Sequence, residues 1–300
     1  VCIFDEVKRV LKPSGTCWVN LGDSYGDKSL QQIPSRFAIA MTDRDWCLRN
    51  EIIWHKPNCM PSSVKDRFTV DFEKFFFFTK SKRYYFEPQY EPMNPKSIER
   101  QMLPVNLGTK SSSMAGYAKE SEFGTAKNRV VNPNESGRNK RTVWTISTKP
   151  YSGAHFAVFP PELIETPIKA GCPGEICSKC GKAREKLVDT SEKIKEHAPR
   201  DYPIKIGDTQ GVSQSSAFRT GLRTVYKDAG YSDCGCGAPF VPGVVLDPFG
   251  GSGTTAKVAR SLGRSSIIIE LNPAYLELAT ERAMTNVPDV LSFDARGAGP

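Results

Sequence analysis

The stretch VVLDPFGGSGTTAKVARSLG, residues 244–263, decides how this chain folds. A run of apolar residues stops at Asp247 and Pro248, and a glycine-rich turn follows. Thr254 and Thr255 then stand where a helix is expected to begin, because apolar residues recur with helical spacing after them. The pattern therefore predicts a strand, a tight turn and a helix.

A second strand and a second helix are predicted directly afterwards. Residues 266–269 are typical of a buried strand that ends at Glu270, and Asn272 with Pro273 precedes a helical pattern over residues 274–283. Glycines in the first turn let the backbone approach a ligand. A carboxylate at the second strand end can accept hydrogen bonds from ribose hydroxyls. Together these features predict a nucleoside site.

The kind of nucleoside stays open at this point. Gly251, Gly253 and Ala256 nearly satisfy the dinucleotide fingerprint, and Glu270 follows at a suitable distance. Asp247 argues against NAD, because its carboxylate would repel a pyrophosphate and attract a cationic amino-acid group. Few residues follow Glu270, so the other strands of a doubly wound α/β sheet must come from the amino-terminal side. We therefore expect a circularly permuted order.

Composition limits the function further. Of 300 residues, 41 are Lys or Arg and 33 are Asp or Glu, so the net charge of +8 favours a polyanionic partner such as nucleic acid. The absence of a long apolar run and of a signal segment predicts a cytoplasmic protein without a membrane span. In that compartment the nine cysteines are expected to be thiols or metal ligands.

Three segments carry a resemblance to a known family: residues 247–255, AHFAVFPPELIE (154–165) before them and IIIELNPAYLELA (267–279) after them. They resemble the permuted β class of DNA amino-methyltransferases. Upstream segments resemble that family in its usual order: LKPSGTCWVNLGDSY (11–25), EIIWHKPNCMPSSVKDRFT (51–69), FEKFFFFTKSKRYYFE (72–87) and GRNKRTVWTISTKPY (137–151). Such enzymes use S-adenosylmethionine to methylate cytosine N4 or adenine N6 of double-stranded DNA. The resemblance implies a Rossmann-like methyltransferase sheet and a restriction–modification or phage setting, with cytosine N4 slightly favoured.

The resemblance also divides the chain. The expected parts are a catalytic half (1–87), a target-recognition insertion (88–136), a core segment (137–172), a cysteine-bearing insertion (173–236), a cofactor-binding half (237–289) and a tail (290–300). The first insertion is polar and rich in Ser, Asn, Gly and Lys, so its composition predicts loop. Its position in the family implies that it reads bases in the major groove.

The cofactor site implied by the resemblance draws on both halves of the chain. Its expected residues are Asp247, Pro248, Phe249, Gly251, Ser252, Gly253, Thr254, Thr255, Glu270, Asn272, His155, Phe156, Phe159 and Asp23. His155 is assigned to the cofactor and not to base catalysis, since no Ser or Cys forms a hydrolytic arrangement with it. Asp23 lies in a loop after a predicted strand, where an ordinary turn residue is the alternative.

Basic residues mark a candidate DNA surface. Lys80, Lys82 and Arg83 follow a predicted buried strand, residues 75–78, and Lys56 follows a predicted strand at residues 51–54. Beside a duplex they would contact phosphates and give salt-sensitive affinity. A solvated face without a ligand is the alternative.

Two cysteine pairs predict a metal site. Cys177 and Cys180, followed by glycine, have zinc-knuckle spacing, and Cys234 with Cys236 ends the same insertion. Four sulfurs can close a tetrahedral zinc site at the base of a long polar loop. The C-x-C spacing departs from the usual ribbon, so free thiols are the alternative.

Two helices are also predicted around the core. Residues 36–46 have helical spacing, and a short helix is expected after residues 155–163. Pro167 is expected to stop or kink that second helix near Thr166.

No catalytic residue can be assigned. The resembling family uses an Asp/Ser/Asn-Pro-Pro-Tyr loop, which this sequence lacks, and that loop is expected before Val1 in a chain truncated at its amino terminus. Three hypotheses follow: a DNA amino-methyltransferase, a zinc-dependent DNA-binding protein with an inactive methyltransferase core, and an NAD-dependent oxidoreductase. Binding of S-adenosylmethionine as against NAD separates the third from the others.

Overall fold

The computed structural model describes residues 1–96, 137–149, 158–189, 193–197, 220–224 and 227–284. The chain divides into two compact units. The first contains Val1–Gln89, Lys140–Arg184 and the residues from Asp233 onward, and the second contains Tyr90–Asn139 and Glu185–Ser232. Across the described ranges, no helix has both the length and the apolar character that a membrane span requires.

The first unit combines helices with short sheets. Its helices are α1 (Cys2–Val10), α2 (Ile33–Thr42), α3 (Pro161–Gly171), α4 (Thr254–Ser261) and α5 (Pro273–Met284). Its strands are β1 (Thr16–Leu21), β2 (Tyr25–Gly26), β3 (Ser29–Leu30), β4 (Cys47–His55), β5 (Phe72–Thr79), β8 (Val143–Thr145), β9 (Glu175–Cys177), β14 (Phe240–Pro242), β15 (Val244–Asp247) and β16 (Ser265–Ile268).

The main sheet has the order β1-β5-β4-β8. Strand β5 is antiparallel to both neighbours, and β4 pairs with β8 in parallel. Strand β5 is internal to this sheet, and helices pack against both faces of its phenylalanine run. Phe76 and Phe78 pack with residues of α1 and α2, whereas Phe75 and Phe77 share a cluster with Leu163 of α3. The predicted buried strand is confirmed as core.

Strands β15 and β16 form a separate parallel pair, and α4 connects them. The predicted order of strand, turn, helix, strand and helix is confirmed. The expectation that the second strand is fully buried is wrong, since Ile267 is 55% exposed and Ile269 is 52% exposed. Helix α4 contacts this strand, but its contacts leave these two side chains exposed.

Both predicted helices around the core have different ends from those expected. Helix α2 ends at Thr42, since Asp45 adopts a left-handed backbone (φ 59°) that no longer continues a helix. Helix α3 continues to Gly171 through Pro167, so the expected stop near Thr166 is wrong, whereas a kink there stays a prediction. Leu163, Ile168 and their neighbours on this helix are buried, and this packing outweighs the hydrogen bond that proline cannot make.

The second unit contains antiparallel strand pairs. Strand β6 (Tyr90–Glu91) pairs with β7 (Arg138–Asn139). Strand β10 (Lys186–Asp189) pairs with β13 (Lys227–Tyr231), and β11 (Lys193–His197) pairs with β12 (Thr220–Thr224) inside it. The described residues between Glu185 and Ser232 therefore form a ribbon of paired strands where the sequence suggested a long polar loop, because cross-strand pairing satisfies their backbone groups.

Candidate functional site

The turn after β15 is organised by Asp247. Its Oδ1 accepts a hydrogen bond from the backbone N–H of Phe249 (2.9 Å), and its Oδ2 accepts one from Thr255 Oγ1 (2.5 Å). One carboxylate thus joins the strand end, the turn and the first turn of α4. This local arrangement explains why an aspartate followed by glycines and threonines forms a compact loop here.

Glu270 supports the same turn from the neighbouring strand. Its Oε2 accepts a hydrogen bond from the N–H of Gly251 (2.8 Å), and its Oε1 accepts one from the N–H of Asn272 (2.9 Å). Asn272 Oδ1 in turn accepts from the N–H of Ala274 at the start of α5 (3.1 Å). The two predicted carboxylates therefore lie at the carboxyl ends of adjacent parallel strands, where open α/β sheets bind ligands.

Helix α4 begins in a confined space. Gly253 has φ 77°, and a Cβ at this position would lie 2.7 Å from the Cα of Ala279 on α5. Ser252 is buried and accepts a hydrogen bond from Arg282 Nη1 (2.7 Å). Within the described residues, the buried Oγ1 of Thr254 has no hydrogen-bond partner. The turn thus presents buried polar groups at a helix start.

The other predicted cofactor residues have varied surroundings. Phe249 is 59% exposed beside Phe4, with 6.2 Å between ring centroids. Phe159 packs against buried residues of α3 and α4. Asp23 Oδ1 accepts from the N–H groups of Ser24 (2.9 Å) and Ile33 (3.1 Å), which closes the loop before α2. His155 and Phe156 lie outside the described residues.

The predicted DNA-contacting cations fall into two groups. Lys56 pairs with Glu73 and lies over the ring of Trp54, 4.4 Å from its centroid. Lys80 Nζ donates to the carbonyl of Leu11 at 2.7 Å. These two lysines therefore already have partners within the protein. Lys82 and Arg83 are exposed on the turn after β5.

The four predicted metal ligands converge. The Sγ atoms of Cys177, Cys180, Cys234 and Cys236 all lie within 4.8 Å of one another. All four are free thiols, with Cys177 buried and Cys180 exposed. The backbone N–H of Cys180, and less strongly that of Lys179, lowers the pKa of Cys177 to about 6, although burial opposes the shift.

Sequence reasoning missed the residues that support the turn from a distance. Arg282 contacts Ser252 from 30 positions further along the chain, and Phe4 contacts Phe249 from the other end. No local pattern indicates the contact of Phe4 with Phe249. Only the helical spacing of α5, which places Arg282 near Ala279, is a usable signal.

The fold and this turn define an α/β protein with a polar glycine turn at the ends of a parallel strand pair. The sequence profile of the N6/N4 DNA methylase family matches residues 2–176 and 241–281. That match includes both halves of the predicted methyltransferase core. The chain therefore belongs to the N6/N4 DNA methylase family.

Relatives extend the match over nearly the whole chain. Type II methyltransferase M.XycI of Xanthomonas campestris pv. cyanopsidis is 29% identical over 98% of this chain and 73% of its own length. Type II methyltransferase M.Cfr9I of Citrobacter freundii has the same identity and coverage. The solved PvuII DNA methyltransferase (cytosine-N4-specific) is similar in fold, with a TM-score of 0.51, 16% identity and coverage of 97% of this chain and 70% of that one.

Proposed function

We propose that this protein is an S-adenosylmethionine-dependent DNA methyltransferase that modifies an exocyclic amino group. The observation that carries the proposal is the Asp247–Glu270 turn within a chain of the N6/N4 DNA methylase family. The cofactor supplies a methyl group on a sulfonium, and the lone pair of a base amine accepts it. The same family membership disfavours the NAD-dependent alternative.

The residues of the turn fit this cofactor. Each oxygen of Asp247 accepts one hydrogen bond, so each keeps a second lone pair for the ammonium of the methionine portion. Glu270 stands at the end of the adjacent strand, where a carboxylate suits the ribose hydroxyls. The buried hydroxyl of Thr254 and the glycine backbone supply further polar groups beside the same helix start.

Double-stranded DNA is the proposed substrate. The net charge of +8 supports binding to a polyanion, and the exposed Lys82 and Arg83 are the best candidates for phosphate contacts. Lys56 and Lys80 would first have to release or share their present partners. Base reading by residues 88–136 stays a prediction, since residues 97–136 lie outside the described part.

The catalytic loop and the permuted strand order also stay predictions. Among the described residues, β1 pairs only with β5, and β15 pairs only with β16. Each of these strands therefore has one edge available, which supports the expectation that a further strand carrying the Pro-Pro-Tyr loop joins the two sheets. Reading the coding sequence upstream of Val1 tests this expectation.

We favour cytosine N4 over adenine N6 as the methylated position on overall resemblance. The family includes both reactions. Because the relatives are named Type II methyltransferases, a role in restriction–modification is proposed with it. Digestion of methylated DNA to nucleosides and mass spectrometry of the products identify the modified base.

Cofactor binding is the first test. Calorimetry should detect one site for S-adenosylmethionine and for its demethylated product, and no comparable heat with NAD. Asp247→Asn should weaken the binding at least tenfold, whereas Glu277→Gln, an exposed change on α5, should leave it unaltered.

The outcomes separate the hypotheses. Absence of binding by a well-folded protein would overturn the assignment of the cofactor. Binding of cofactor and DNA by the complete product of the reading frame, without transfer of radiolabelled methyl groups, would instead favour a DNA-binding protein with an inactive core.

A further inference from the structure

The two cysteine pairs form a compact cluster apart from the Asp247–Glu270 turn. Their four Sγ atoms lie within 4.8 Å of one another, and none is in a disulfide. In a tetrahedral thiolate site with Zn–S distances of about 2.3 Å, the sulfurs stand about 3.8 Å apart. Small side-chain adjustments would therefore bring all four into coordination.

The backbone around the first pair already has the form of a metal-binding turn. The N–H of Gly181 donates to the carbonyl of Cys177 (2.8 Å), and the N–H of Cys177 donates to the carbonyl of Lys182 (2.9 Å). Gly181 has φ 71°, which favours glycine. This tight turn directs both thiols of the pair to the same side.

The second pair is held against the first. Strand β14 pairs with β9 in register, with Phe240 opposite Cys177, and the N–H of Ser178 donates to the carbonyl of Pro239 (3.0 Å). Gly235 has φ 71°, and its N–H donates to Asp233 Oδ1 (3.2 Å). Backbone hydrogen bonds around each cysteine pair therefore explain why the four sulfurs converge.

We propose that Cys177, Cys180, Cys234 and Cys236 form a structural zinc site that fixes the two ends of the 185–232 insertion. Four thiolates select a soft ion, and four protein ligands leave no open position for catalysis. The pairs flank the residues that form the ribbon of the second unit. The match to the family profile stops at residue 176 and resumes at 241, so this site belongs to the part that the profile does not match.

The order of residues along the chain supports the proposal that zinc fixes the ends of the insertion. The ribbon leaves after Arg184 and returns at Asp233, and one ligand pair lies close to each of these points. A metal that joins the pairs closes the loop between them and so restricts the open arrangements that the insertion can adopt. The proposal is independent of methyl transfer.

Metal content is the primary measurement. Protein purified without chelator should contain close to one zinc ion per chain by mass spectrometry and should be colourless. Cys180→Ser and Cys236→Ser should each lower zinc content or affinity at least tenfold. Cys2→Ser and Cys47→Ser are the matched controls and should keep full occupancy. Zinc-free wild-type protein that is reloaded with Co²⁺ should show the visible absorption bands of tetrahedral thiolate coordination. This measurement needs no substitution, so it tests the site even if the cysteine variants fail to fold.

Limited proteolysis tests the structural role. Removal of zinc should accelerate tryptic cleavage within residues 185–232 several-fold and leave cleavage within residues 1–89 unchanged. The proposal is overturned if the protein contains much less than one zinc ion per chain or is coloured by bound iron. It is also overturned if the control variants lose as much zinc as the cysteine variants of the site. Zinc that binds without altering cleavage of the insertion would overturn the fixing role.

Discussion

At the scale of single residues, the proposed cofactor site depends on two carboxylates that hydrogen-bond to the protein's own backbone. Asp247 and Glu270 each accept a backbone N–H of the glycine turn, and each lies at the end of a parallel strand. The turn is therefore formed in advance, which reduces the conformational cost of binding. We therefore expect both charge and shape to matter at these positions.

Replacement of Glu270 with glutamine removes the charge and one of its two backbone contacts. The amide oxygen can still accept the N–H of Gly251, but the amide nitrogen cannot accept that of Asn272, and the charge that strengthens hydrogen bonds to ribose hydroxyls is lost. Because such charged hydrogen bonds contribute about 1.5–3 kcal/mol, the affinity for S-adenosylmethionine should fall about 10- to 100-fold. Calorimetry measures the change. Glu277→Gln is the control, and an equal loss in both variants would contradict a specific contact.

Cys17 offers a residue-scale test of core burial. It lies on β1 at 8% exposure, and desolvation raises the pKa of its thiol to about 12, so thiolate is scarce at pH 8. Iodoacetamide should alkylate the exposed Cys2 rapidly and leave Cys17 unmodified until the protein unfolds. Peptide mass spectrometry gives both rates in one sample. Equal labelling of the two cysteines in native protein would show that β1 is not buried as described.

At the scale of elements, the close approach of α4 and α5 sets the position of the turn. Gly253→Ala introduces a Cβ 2.7 Å from the Cα of Ala279 and also strains a left-handed backbone. Gly263→Ala is a matched control, because its φ is 72° and nothing lies within 4 Å of its Cβ position. The backbone term costs about 1–2 kcal/mol at both sites, and the clash adds about 1–3 kcal/mol at Gly253.

Denaturant unfolding of both variants gives the comparison. The free energy of unfolding should fall more for Gly253→Ala than for Gly263→Ala, and cofactor affinity should fall only for Gly253→Ala. Equal destabilisation of the two variants would mean that the helix contact does not confine the turn.

Local patterns predicted those elements whose cause is local. The glycine turn, the phenylalanine strand β5 and the cysteine knuckle were readable because spacing and composition determine them. The continuation of α3 through Pro167 was not, since buried neighbours such as Leu163 and Ile168 stabilise that helix. The exposed face of β16 was also missed, because burial depends on which elements cover the strand and not on its own apolar run.

At the scale of the whole molecule, strand order and contacts between distant residues cannot be predicted from the sequence alone. The order β1-β5-β4-β8 and the support of Ser252 by Arg282 depend on tertiary packing. The net charge, in contrast, is fixed by composition and favours a polyanionic partner. The salt dependence of the predicted DNA binding depends on how many cations contact phosphates, so single exposed residues can change it.

Lys82 and Arg83 should account for a measurable part of that dependence. Each phosphate contact contributes about 0.9 to the slope of log K against log salt, so Lys82→Ala with Arg83→Ala should reduce the slope by about 2. The charge-matched control is Arg9→Ala with Lys28→Ala, since both of these exposed residues pair with carboxylates elsewhere. Fluorescence anisotropy with duplex DNA at several salt concentrations measures the slopes. If both double variants lower the slope equally, the effect belongs to net charge, and the turn after β5 does not contact the phosphates.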